Sequence, residues 1–120
     1  MNLEEFREFC LSLPQASEHA PWSDKQYKNL LTFNVADKWF CLLDMENKFC
    51  DVKCDPDTVT EWQERYTGIE PAWHMNKQHW LKIVLESDVP RAIIEQLVER
   101  AYHLTVTGLS KAKRQELGLE

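Results

Sequence analysis

Between positions 27 and 53 three strand-like runs follow one another with almost no chain to spare, and this constrains the fold more than any other feature. Residues 27–35 alternate with Leu31, Phe33 and Val35 on one side. Residues 38–43 read Lys-Trp-Phe-Cys-Leu-Leu, and residues 49–53 alternate Phe49, Asp51 and Lys53 with Cys50, Val52 and Cys54. Only Ala36-Asp37 separates the first two runs, and Met45-Glu46-Asn47-Lys48 the second pair. A parallel crossover needs about a dozen residues or more, so these strands must be antiparallel neighbours.

The flanking segments read as helices and further strands. Residues 2–12 carry Leu3, Phe6, Cys10 and Leu13 at helical spacing, with Asn2 and Glu5 at capping-box spacing and Pro14 as the stop. Residues 15–25 read as a loop. Asp55-Pro56-Asp57 reads as a helix start, with Asp55 as N-cap and Gly68 at the far end. Strand alternation returns at residues 80–86. Ile94, Leu97, Val98, Ala101 and Leu104 then form the buried stripe of a long helix over residues 90–107. Ser110 caps a terminal helix over 111–117. The order α-β-β-β-α-β-β-α-α predicts an α+β fold: one compact domain over residues 1–120, an antiparallel sheet with helices packed around it.

Composition narrows the function. A chain of 120 residues can bury one core without metal or disulfide staples. Four scattered cysteines, Cys10, Cys41, Cys50 and Cys54, read as reduced, partly buried thiols of a cytoplasmic protein. No apolar run approaches a membrane span, and the N-terminus lacks a signal-peptide pattern. The net charge of -6 is uneven: residues 1–73 hold 14 acids against 7 bases, residues 74–120 hold 6 against 7. Nucleic-acid binding would need a local patch, and Arg100, Lys111, Lys113 and Arg114 form an acid-free stretch.

The densest chemistry lies in residues 68–80. Two Trp, two His, an Asn and a Lys occupy the eight positions from Trp73 to Trp80. One reading is a recognition surface: Trp80 or Trp73 stacks, Asn76 reads an edge, and Lys77 and His79 face an anion, with His74 behind them. The other is structural: Trp80 is core, Asn76 supplies turn geometry, and the imidazoles satisfy backbone groups. Lys77, at an expected turn tip, is the foremost functional candidate. The basic tail likewise is either a phosphate contact or a solvated helix end.

Other chemistries find little support. Cys50-x3-Cys54 with His74-x4-His79 superficially resembles a zinc site. Two thiols in one strand at this spacing stand roughly 13 Å apart, whereas ligands of one zinc lie within about 4 Å of each other. No Gly-x-Ser-x-Gly elbow is present, and Asp55/Asp57 read as helix capping. No enzyme, metal site or cofactor is expected.

Gly68-Ile69-x-Pro71-x-x-His74-Met75-Asn76-Lys77-x-His79-Trp80 resembles the signature of the MmcQ/YjbR family. Leu13-Pro14, Glu18, Pro21-Trp22, Lys38-x-Phe40, Lys53-Cys54-Asp55-Pro56, Val89-Pro90, Tyr102-x-Leu104 and Leu109 with Lys111, Lys113 and Arg114 extend the resemblance over nearly the whole chain. Gln15, Ser23 and Ala101 depart from it. The resemblance implies a fold of the CyaY type and a DNA-binding role through a double-wing arrangement. The expected binding residues are therefore His74, Asn76, Lys77, His79, Trp80, Tyr102, Lys111, Lys113 and Arg114. The partner is DNA met by the 68–80 hairpin and the C-terminal helix, or else a small anionic ligand or a protein at the His74/Asn76/Lys77/His79 cluster. No membrane contact is expected, and the chain should be a monomer.

Overall fold

The turn at Ala36-Asp37 sets the geometry of the sheet. Both residues adopt positive φ, 49° and 65°. A two-residue hairpin needs this to match the strands' right-handed twist. Asp tolerates it and Ala pays a steric cost. The computed structural model describes residues 1–73 and 75–119. Helix α1 (Leu3–Ser12) leads into β1 (Ser17–His19), a 3-10 turn (Lys25–Tyr27), β2 (Leu30–Val35), β3 (Lys38–Asp44) and β4 (Phe49–Lys53). A second 3-10 turn (Pro56–Thr58) precedes α2 (Val59–Arg65), β5 (Ile69–Pro71), β6 (Trp80–Val84), α3 (Arg91–Thr107) and α4 (Lys111–Leu117). The sheet order is β1-β2-β3-β4-β6-β5, with every pair antiparallel. The α+β fold expected from the hydrophobic pattern is the one observed.

Local chemistry explains the corners. The α1 capping box is complete: Glu5 N–H donates to Asn2 Oδ1 at 2.8 Å, and Asn2 N–H to Glu5 Oε1 at 3.0 Å. Asp44 organises the β3–β4 turn, its Oδ1 accepting from the N–H groups of Glu46 and Asn47 at 3.0 and 2.8 Å. Gly68 permits a close approach. A Cβ there would lie 2.1 Å from Ser87 Oγ. Its N–H donates to Asp88 Oδ1 at 2.7 Å, and Thr67 N–H donates to Oδ2 at 2.8 Å. These bonds hold the Asp88 carboxyl below its usual range.

Two expectations need correction. Residues 17–19, read as loop, form β1 and pair with β2 at the sheet edge. Asp55 makes no capping bond. Its carboxylate instead takes two bonds from Arg100, at 2.8 and 2.9 Å, and those bonds hold its pKa down.

The sheet has two dissimilar faces. α1 and α3 cover one, where Phe6 and Cys10 meet Phe33, Cys41, Leu43, Val52, Ile83, Ile94 and Val98 in the core. A bulge pairs Phe33 with Cys41 and Asn34 with Trp39, leaving Phe40 as an extra residue. Phe40 thus joins this core, edge-on to Tyr102 at 5.6 Å between ring centroids. The alternation places Leu30, Thr32, Asn34, Leu42, Asp51 and Trp80 on the opposite face, and all are buried. Trp73, from the segment between β5 and β6, packs on this face against Phe49. No helix among the described residues is long and apolar enough to cross a membrane.

Candidate nucleic-acid interface

β5 and β6 pair as the expected hairpin. Trp73, in the connection between them, packs onto the sheet. Trp73 N–H donates to Asp51 Oδ1 at 3.2 Å, and the indole meets the Phe49 ring edge-on at 5.4 Å. Lys82 Nζ stands 4.3 Å from the centroid of the same Phe49 ring and 3.3 Å from Glu70. Asp51 is wholly buried, and its Oδ2 has no partner among the described residues. Burial pushes its pKa up to about 7, against the pull of the Trp73 N–H, Lys82 and Lys77.

Most of the motif's functional-looking groups are engaged internally. Trp80 is 8% exposed and sits opposite Lys53 on β4. Asn76 Oδ1 accepts from Gln78 N–H at 2.7 Å, closing an Asx turn. Lys77 Nζ donates to Ala72 O at 3.2 Å. His79 is exposed, and its carbonyl accepts from Cys54 N–H at 2.8 Å, tying the loop to β4. His74 lies outside the described residues.

The remaining expected residues lie elsewhere. Tyr102 is buried and donates its hydroxyl to Pro14 O at 2.6 Å. With Arg114, Val106 and Leu119 it lines a cleft of about 450 Å³ beside α4. Lys111 is exposed, while Lys113 Nζ lies 3.5 Å from Glu116. Ser110 caps α4 as its position in sequence suggests, accepting from Lys113 N–H at 3.0 Å.

A different surface holds unengaged groups. Trp22 is 41% exposed and lies 4.8 Å from the Tyr27 ring and 6.0 Å from the Trp39 ring. Lys25, Lys28 and Lys38 are interleaved with these aromatics in sequence and form no ion pair with a described residue. Two acids, Asp24 beside Lys25 and Asp37 beside Lys38, lie in the same stretch, leaving it a net charge of +1, and Asp24 Oδ1 caps the 3-10 turn through Gln26 N–H at 3.1 Å. Asn34, paired with Trp39 across the strands, keeps a buried Oδ1 without a partner among the described residues. The alternation of Lys with Trp and Tyr through residues 22–39 was the available signal.

The cysteines lie inside the fold. All four are free and buried. Burial raises the thiols of Cys41 and Cys50 well above their usual range, and that of Cys54 to about 12. Among the described residues no group of three His, Cys, Asp or Glu side chains could hold a metal.

The YjbR family profile matches residues 11–104. The chain belongs to the YjbR family. It is 27% identical to the uncharacterised protein YjbR of Escherichia coli K12, over 98% of both chains. The crystal structure of Deinococcus radiodurans protein DR2400, a DUF419 domain, superposes with a TM-score of 0.88 at 29% identity, over 99% of this chain and 89% of that one. A Pseudomonas syringae protein superposes at 0.75 with 26% identity, over 88% of this chain and 99% of the other. β5 and β6 carry the two ends of the YjbR motif of residues 68–80 in this chain.

Proposed function

We propose that this YjbR-family chain is a non-enzymatic DNA-binding protein of the cytoplasm, acting as a monomer, and that it prefers unpaired strands. The observation carrying this reading is the surface of Trp22, Tyr27 and Trp39 interleaved with the unpaired Lys25, Lys28 and Lys38. Aromatic faces stack on bases of any identity, and ammonium groups meet the phosphates between them. A protein of net charge -6 needs such a local concentration of cations to hold a polyanion. All four cysteines are buried, which disfavours a thiol nucleophile. Lys111 and Arg114 on α4 remain available as additional phosphate contacts.

Fluorescence anisotropy with a labelled single strand and the matching duplex tests this. Three phosphate contacts give a log–log salt slope of about -2 on a single strand. Trp22→Ala should weaken binding about tenfold, in line with the loss of one stacked base. The triple change Lys25→Ala, Lys28→Ala, Lys38→Ala should flatten the salt dependence. No binding at low salt and high micromolar protein would sink the reading. Undiminished binding in both variants, with loss in Lys77→Ala and Lys111→Ala, would return the site to the motif and the C-terminal helix.

A further inference from the structure

Three charged side chains line up across neighbouring strands, on the sheet face turned away from α1 and α3. Asp51 on β4 stands directly opposite Lys82 on β6, and Lys82 stands directly opposite Glu70 on β5. Directly opposite residues on one face have Cβ atoms about 5 Å apart, so the flexible Lys82 chain reaches toward either carboxyl. In the structure it serves Glu70. Its Nζ lies 3.3 Å from Glu70 Oε1 and 4.3 Å from the centroid of the Phe49 ring. Asp51, wholly buried, accepts from Trp73 N–H on Oδ1 and keeps Oδ2 without a partner among the described residues.

That arrangement suits a carboxyl that carries a proton, because a buried carboxylate without a countercharge is strongly disfavoured. Burial accordingly raises the Asp51 pKa to about 7. Once the proton has left to solvent, the surrounding charges decide which group answers it. Along β4 the same face carries Lys53, half-buried and two positions away. β3 presents the uncharged Leu42, and its Asp44 is held by the Glu46 and Asn47 N–H groups. The β5–β6 connection brings Lys77, whose Nζ donates to Ala72 O. β6 brings Lys82. Of these cations Lys82 and Lys77 draw on the Asp51 carboxyl, Lys82 the more strongly.

We propose that Lys82 is a proton-driven switch: it pairs with Glu70 while Asp51 holds a proton, and moves to Asp51 when that proton leaves. The exchange carries a buried event to the surface. The Glu70 side chain is 47% exposed on a rim strand. Loss of the Asp51 proton therefore uncovers a free carboxylate at the sheet edge, while the new charge inside is neutralised. The ammonium also leaves the Phe49 ring, against which Trp73 of the motif packs. This device stands apart from the aromatic–lysine surface.

The test is an NMR titration of the full chain from pH 5 to pH 9, following the Lys82 Cε–H signals and the carboxyl carbons of Asp51 and Glu70. In acid the Phe49 ring should shift the Lys82 signals upfield. That shift should vanish with a midpoint of about 7, in step with the Asp51 carboxyl. Asp51→Asn should abolish the transition. Glu70→Gln leaves Lys82 a single partner and should lower the Asp51 midpoint by about half a unit, a threefold change in proton affinity. Lys82→Met should raise it by about one unit, or tenfold. Glu70 lies on the half-exposed rim, so its variant keeps the test available even if Lys82→Met folds poorly. Lys82 signals that stay fixed across the range would overturn the proposal. So would a transition that survives in Asp51→Asn, which would belong to a histidine such as His79, or an Asp51 midpoint unmoved in Glu70→Gln.

Discussion

Residues 68–80 and residues 22–39 make an instructive pair. The first segment holds the denser chemistry, and much of it is engaged within the chain although Asn76, Lys77 and His79 are exposed. Trp80 is core, Asn76 closes its own turn, and Lys77 reaches back to Ala72. The second segment is less conspicuous in sequence, yet Trp22 is 41% exposed and its three lysines lack carboxylate partners among the described residues. A side chain's type says what it can do. Whether it is free to do so depends on contacts made far along the chain, such as that from Trp73 to Asp51.

The strongest test of this contrast is Asp51, beneath the motif loop. Its pKa is raised in the folded state to about 7. Between the unfolded value near 4 and pH 7 the native state therefore binds more protons, and stability falls as pH rises through that window. Asp51→Asn should remove this slope, gaining up to about 4 kcal/mol on wild type between pH 4 and pH 8. Urea unfolding at several pH values measures it. Parallel pH profiles for the two proteins would mean that Asp51 is solvated.

Next in size is Gly68→Ala, where the new Cβ collides with Ser87. The expected loss is about 2 kcal/mol of stability, as for an overpacked site. A wild-type denaturation midpoint would remove Gly68 from the structural side of the comparison. Trp22→Ala should do the reverse, lowering affinity for a single strand about tenfold while leaving the midpoint within roughly 0.5 kcal/mol of wild type. A large drop in stability would instead make Trp22 part of the scaffold. The smallest effect is expected at Ala36→Gly, which relieves the positive φ of 49° and should stabilise by about 1 kcal/mol. An unchanged or lowered midpoint there would show that the β2–β3 turn carries no strain.

The legible parts of this fold were those set by local rules. The capping box of α1, the β2–β3–β4 meander and the Ser110 cap depend on neighbours within a few positions and are in place, as is the α3 stripe through Ile94, Leu97, Val98 and Ala101; its expected end, Leu104, is only partly buried, and Tyr102, Thr105 and Val106 continue the buried face instead. β1 was hidden because three largely polar residues, Ser17, Glu18 and His19, carry no usable alternation. The role of Asp55 was hidden for another reason: its partner Arg100 is 45 residues away, and a local cap was the simpler account of an Asp before Pro. The candidate site failed to show itself in the same way. The motif was recognisable at once, but its inward engagement depends on β4, and the row of Asp51, Lys82 and Glu70 depends on strands that only tertiary pairing joins.

The two rims of the sheet, β1 and β5, are each only three residues long, and β5 ends in Pro71. Proline has no N–H to offer an incoming strand, and so short a rim gives it little to register against. The hydrogen-bonding ladder therefore ends at its own margins, leaving neighbouring copies in a crowded solution little template for adding a seventh strand.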